Sequence, residues 1–208
     1  MNYLLSFWGL LAPPVDFWSE LSQVLRGHIS NPWEVITQVA WVVEGIRSTG
    51  YEVPLRAVVR IVAQRSGVDP LELEGDYVRY ISQKVKPAPC SLEFLRWVKA
   101  RGVVAIVSNS PCVCFIKNFL SGHGVEINNI YTSDLLLRRK PLRRVFRYVL
   151  RKLNIRPSDA IYIGDSEDDL GAMAVGLFTI IVGRGDMGHL SLPDLCEVRR
   201  WLEENIES

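Results

Sequence analysis

From residue 91 onward the chain alternates two kinds of hydrophobic spacing. Leu92, Leu95 and Val98 recur at helical intervals and stop before Gly102, after which Val103 to Val107 is a short β-branched run of the kind that forms a buried strand. The pairing then repeats. A helix over Cys112 to Leu120 precedes a weaker strand over Val125 to Tyr131, and a helix over Leu142 to Leu153 precedes a strand over Ala160 to Ile163. A helix from about Asp168 to Val175, a strand over Phe178 to Val182 and a helix over Leu195 to Asn205 complete the series. Such alternation predicts a parallel sheet covered by helices. Tyr3 to Leu5 reads as one more buried strand at the start of the chain.

Residues 14 to 86 have another character, with four helix-like segments and no strand. Asn31-Pro32 and Asp69-Pro70 each set a capping side chain before a proline at the first helical position, and Gly50 and Gly67 stand where helices should stop. Pro87 and Pro89 mark the return to the sheet. The expected architecture is a three-layer α/β core with a Rossmann-like parallel sheet, formed by residues 1–11 and 89–208, and a helical cap inserted over residues 12–88.

Composition narrows the class. The chain is 48% hydrophobic, too apolar for a disordered protein, and holds no apolar run near the ~20 residues a membrane-spanning helix needs. The uncharged start, Tyr3 to Ala12, lacks a basic flank and is broken by Gly9 and Pro13-Pro14, so it reads as strand and turn rather than as a leader. A formal charge of +1 gives no general reason to invoke nucleic acid or an anionic membrane. Cys90, Cys112, Cys114 and Cys196 form neither a zinc ribbon nor a disulfide framework by spacing, so a reducing, cytoplasmic setting is expected, with Cys112-x-Cys114 read as packing. Trp18, Trp33 and Trp41 read as core of the cap.

Three segments carry candidate chemistry. Ile161 to Asp169 runs from a buried strand into a turn crowded with carboxylates, Asp165, Glu167, Asp168 and Asp169. Acids packed so closely repel unless a cation neutralises them, and Mg²⁺ takes oxygen ligands of this kind. Val104 to Ser110 is a strand ending in Ser108-Asn109-Ser110, small donors suited to phosphate oxygens, and Lys140-Pro141 places an amine before the next helix.

In this order, and after these strands, the three segments resemble the haloacid dehalogenase-like superfamily, mostly phosphatases that work through an aspartyl-phosphate and Mg²⁺. The resemblance implies a phosphoryl site of Ser108, Asn109 and Lys140, a metal held or oriented by Asp165 and Asp169, and a cap that selects a small phosphorylated substrate. The first motif departs from the pattern. Where the family has Asp-x-Asp-Gly-Thr-Leu, or Asp-x-Tyr-Gly-Thr-Leu in its dehalogenase branch, this chain has Ser6-Phe7-Trp8-Gly9-Leu10-Leu11. Ser6 stands at the nucleophile position and Trp8 at the acid/base position. A serine hydroxyl needs a base and cannot form an acyl phosphate. His28, His123 and His189 lie in the insertion, a glycine-flanked loop and the tail region, away from that role. The expectation is an inactive or impaired phosphatase scaffold that binds phosphate, with weakened Mg²⁺ affinity. The alternative is an active, phosphoglycolate-phosphatase-like hydrolase in which Ser6 or a metal-bound water attacks.

Two further patterns read as bland. Gly183 to Gly188 satisfies G-x-G-x-x-G, but with no helix opening after it and no further strand expected, it is a loop rather than a dinucleotide site. Arg143, Arg147 and Arg151 form a basic stripe, read as a solvated helix face because no aromatic platform or nucleic-acid module accompanies it. The expected partner is a small phosphorylated molecule or inorganic phosphate, with neither membrane nor nucleic acid; oligomeric state is not legible.

Overall fold

The computed structural model describes residues 1–183 and 185–206. In chain order its elements are β1 (Asn2–Leu5), α1 (Phe17–Leu25), α2 (Pro32–Arg47), α3 (Leu55–Ser66), α4 (Pro70–Lys84) and α5 (Ser91–Lys99). There follow β2 (Val104–Ser108), α6 (Val113–Gly122), β3 (Asn129–Thr132), α7 (Ser133–Leu136) and α8 (Arg143–Leu153). The chain closes with β4 (Ala160–Gly164), β5 (Phe178–Val182), β6 (Leu190–Leu192) and α9 (Leu195–Ile206). A 3₁₀ helix over Glu167–Val175 stands where the sequence predicts an α-helix, and a capping box of Ser166 and Asp169 opens it.

The strands form one parallel sheet in the order β3-β2-β1-β4-β5-β6, which puts β1 near its middle. Successive residues of β1 serve opposite faces, as the period of two requires. Tyr3 and Leu5 pack with Phe94, Ile116 and Val198 from α5, α6 and α9. Leu4 packs with Phe146, Val149 and Ala172 from α8 and the 3₁₀ helix. The result is a helix, sheet and helix stack. Helices α1 to α4 bury a third cluster, including Leu21, Ile36, Val59, Leu73 and Tyr77, into which Phe115 of α6 reaches from the core. Asp69 caps α4, accepting from Leu71 N and Glu72 N at 2.9 Å each, as the sequence predicts. Asn31 makes no such bond and instead reaches Glu34.

Three expectations are corrected. The cysteines pair, Cys90 with Cys196 and Cys112 with Cys114, leaving none free. The first pair lies 106 residues apart in sequence, and packing α5 beside α9 brings its Cα atoms to 5.7 Å. Trp41 is 81% exposed and Trp33 42%, so neither is cap core. Helix α2 buries the stripe Ile36, Val39 and Val43, and at about 100° per residue Trp41 falls on the opposite face. Lastly, β6 is a strand beyond β5 that the sequence does not announce, paired parallel to it from Ile180↔Leu190 to Val182↔Leu192. Within the glycine-rich run before β6, Gly183 and Gly188 adopt positive φ; Arg184 lies outside the described residues.

Candidate active site at the carboxyl ends of the strands

Leu5 stands opposite Ile106 of β2 and Ile163 of β4, so the residues leaving these three strands share one end of the sheet. Ser6 N donates to Ile163 O at 2.9 Å, which carries the β1 to β4 ladder one residue further. The ammonium of Lys140 closes over the group. It donates to Ser6 Oγ at 3.0 Å and to Tyr162 Oη at 3.0 Å, and it pairs with Asp169 Oδ1. Ser6, Ser108 and Lys140 are only 3%, 3% and 4% exposed, so the cluster is nearly sealed from solvent.

Asp169 is fully buried and engaged on both oxygens. Oδ1 accepts from Lys140 and from Tyr162 Oη at 2.5 Å. Oδ2 accepts from Asp165 N at 2.9 Å, Ser166 N at 3.1 Å and Ser166 Oγ at 3.0 Å. Burial alone would raise this carboxyl group, but the Lys140 charge and these hydrogen bonds outweigh it and hold it below its ordinary value. It is ionised. Tyr162 is driven the other way, well up, first by burial and then by the Asp169 charge, so it stays a neutral donor. Asn109 acts on the Lys140 backbone, accepting from Lys140 N at 2.8 Å and donating to Lys140 O at 3.1 Å and to Asp168 Oδ2 at 2.8 Å. The Lys140-Pro141 peptide it grips is cis.

The β1 corner is built differently. Phe7 O accepts from Leu11 N and Ala12 N, and Gly9 turns the chain at φ +84°. A Cβ on Gly9 would stand 1.8 Å from Asp165 Oδ2, so the carboxylate of Asp165 lies directly against this turn and only glycine fits. Trp8 leaves the corner toward the cap. Its ring meets Phe7 at 4.8 Å, Phe17 at 5.4 Å and Phe115 at 6.3 Å between centroids, all edge to face. It joins the core cluster to the cap cluster. A second tie is ionic: Glu52, between α2 and α3, accepts from Arg47, from Arg139 and from Ser133 Oγ.

Of the site residues named from sequence, Ser6, Asn109, Lys140, Asp165 and Asp169 are joined by hydrogen bonds, whereas Ser108 stands at the end of β2 and Trp8 turns to the cap. Asp169 serves as the counter-ion of Lys140, and Asn109 as its backbone clamp. The sequence missed Tyr162, whose signal was a polar-tipped ring inside a fully buried strand, where its hydroxyl must find a partner. It also missed Glu52, which no local pattern marks. The histidines act elsewhere: His28 beside Asp76, His123 on Phe119 O and His189 accepting from Thr179 N. As a place for Mg²⁺ the donor set does not fit, since Asp169 commits both carboxylate oxygens to Lys140, Tyr162 and the turn, and Ser6 adds only a neutral hydroxyl.

Comparison with known proteins agrees with this geometry. The family of haloacid dehalogenase-like hydrolases matches residues 26–176. The chain belongs to that family. The match begins after the β1 corner, so it neither includes Ser6 nor bears on it. A phosphoglycolate phosphatase of Pseudomonas aeruginosa is 32% identical over 93 residues, 43% of this chain and 34% of that one. An uncharacterized hydrolase of Saccharomyces cerevisiae is 27% identical over 115 residues, 53% of this chain and 52% of the other. The chain therefore spans about half or less of the length of these relatives. A 2-haloacid dehalogenase from Pseudomonas syringae superposes with a TM-score of 0.73, covering 98% of each chain at 14% identity, which shows a shared haloacid dehalogenase-like fold. No helix among the described residues is long and apolar enough to cross a membrane.

Proposed function

We propose that this chain is a phosphatase-type haloacid dehalogenase-like protein whose nucleophile position is held by Ser6, so that it binds a small phosphorylated molecule or inorganic phosphate without transferring the phosphoryl group by the family's covalent route. One observation carries the reading: the Lys140 ammonium donates to a hydroxyl at the end of β1, where an attacking carboxylate would have to stand. Ser6 has no base. The side chains bonded to it are Lys140, a cation paired with Asp169, and Tyr162, a phenol that burial and the Asp169 charge keep protonated, and neither can take its proton. This argues against the second reading, a working hydrolase with serine as nucleophile. For phosphate, Lys140 and the Ser108 hydroxyl are the candidate donors, reached when the cap moves off the sealed cluster. We further propose that Mg²⁺ affinity is low, because Asp169 spends both its oxygens inside the cluster. A cytoplasmic location suits the two disulfides only in a cell interior that tolerates them, as in hyperthermophiles.

The test is turnover of a phosphomonoester panel that includes phosphoglycolate, with Mg²⁺. The wild-type chain should match the Ser6→Ala background, and Ser6→Asp combined with Trp8→Asp should gain turnover. Wild-type activity that Ser6→Ala abolishes would establish serine chemistry. Activity that survives Ser6→Ala and vanishes in Asp165→Asn would establish a metal-bound nucleophile. Either result overturns the proposal, and silence of the double variant would show that the rest of the machinery is not retained.

A further inference from the structure

Helix α8 carries cations that have no acidic partner among the described residues. It buries Val145, Phe146, Val149 and Leu150 and turns Arg143, Arg144, Arg147, Arg151 and Lys152 outward. Arg143, Arg147 and Arg151 follow one another at four-residue intervals, about 6 Å apart along the axis, and like charges at this spacing destabilise a helix. Other helices relieve such charge locally. In α9, Arg199 pairs with Glu203 and Arg200 with Glu197, and in α4 Arg79 pairs with Asp76. Between residues 138 and 152 there is no acidic residue at all. Among the described residues none of the four arginines of α8 has an ion-pair partner.

The surroundings are concave and hold an aromatic ring. Hollows of about 680 Å³ and 300 Å³ flank the helix, and both are lined by Arg144 and Arg151. Tyr148 borders the smaller one, 36% exposed. Its ring is braced edge-on by Tyr131 at 6.3 Å, and the Lys152 ammonium lies 5.6 Å from its centroid. The aromatic whose lack makes the stripe read as bland is therefore present, one turn along from Arg144. A membrane surface would ask this face for protruding apolar side chains, and an acidic peptide would have no use for the ring. A flexible single strand satisfies both features, following the guanidinium row with its phosphates and stacking a base on the tyrosine.

We propose that the outer face of α8 binds single-stranded nucleic acid, with Arg143, Arg147 and Arg151 on successive phosphates and Tyr148 under a base. This surface is separate from the Lys140 cluster and independent of whether that cluster turns over phosphate.

Fluorescence anisotropy with a labelled oligouridine of about 20 nucleotides tests it, with heparin as a polyanion that has no bases. At near-physiological salt the expected dissociation constant is ~1 to 100 µM, with a log–log salt slope of about −2 for three phosphates. Replacing all three arginines by glutamine should weaken binding at least ~10-fold and flatten the slope, while the melting temperature stays at or above that of wild type. If the triple variant loses its fold, Arg147→Gln alone should weaken binding ~3-fold. Tyr148→Ala should weaken the oligonucleotide ~10-fold and leave heparin unaffected. No anisotropy change up to ~100 µM protein, or an arginine variant that binds as wild type, would overturn the proposal. So would equal indifference of oligonucleotide and heparin to Tyr148→Ala, which would mark a general polyanion surface.

Discussion

Two neighbouring strand ends meet at the candidate site and hold their polar groups in opposite ways. At the end of β4, Gly164 to Asp169 forms a closed circuit in which Asp169 accepts from Lys140, Tyr162, Ser166 and the backbone of Asp165. At the end of β1, Ser6 contributes an uncharged hydroxyl beside Lys140 and Tyr162, and the next outward side chain, Trp8, packs into the cap. On the function proposed above, the difference would let a catalytic group change while its surroundings persist. Lys140 is buried, and a buried ammonium must be paired. Because Asp169 supplies that pairing from the turn after β4, an uncharged residue at position 6 does not strand the lysine. Stability of the cluster rests on one strand end, whereas the family's nucleophile belongs to the other.

The comparison predicts a graded set of responses to mutation. Lys140→Met leaves the Asp169 carboxylate buried without its cation and should cost ~3–5 kcal/mol in urea unfolding. Adding Asp169→Leu to it should cost less than the sum of the two single changes, as coupled partners do. Trp8→Ala removes a ring from between core and cap and should destabilise by about 3 kcal/mol. It should also speed proteolysis within residues 12–88 relative to the sheet. Gly9→Ala combines a positive φ with a collision on Asp165, for a loss of about 2 kcal/mol on the same urea scale. Ser6→Ala deletes one of three partners of Lys140 and should cost no more than ~1 kcal/mol. A loss at Ser6 as large as that at Lys140 would erase the contrast between the two strand ends.

Much of the fold was legible because its signals are local. The β-branched runs of β2 and β5, the stripe of α8 and the Asp69-Pro70 cap each report their own element through neighbouring residues. β6 was not, since Leu190–Leu192 is three half-buried residues whose extended form comes from pairing with β5. In the site, Ser6, Ser108 and Asp165 were legible as side chains at strand ends, and Lys140 as one shortly before a helix. The Tyr162 hydroxyl was not, because only the third dimension shows what a buried ring meets. The same limit hid the exposure of Trp41, which depends on which face of α2 the cap covers.

The amino-acid sequence alone determined the order of elements, the parallel sheet and the family resemblance, because spacing and residue type along the chain carry them. Tertiary structure decided the partners. It joined Cys90 to Cys196 and closed Lys140 with Asp169 and Tyr162. It placed Glu52 against Arg139 and left the arginines of α8 without an ion-pair partner among the described residues. Charge pairing and burial act through distance in space, over separations that the linear order does not encode.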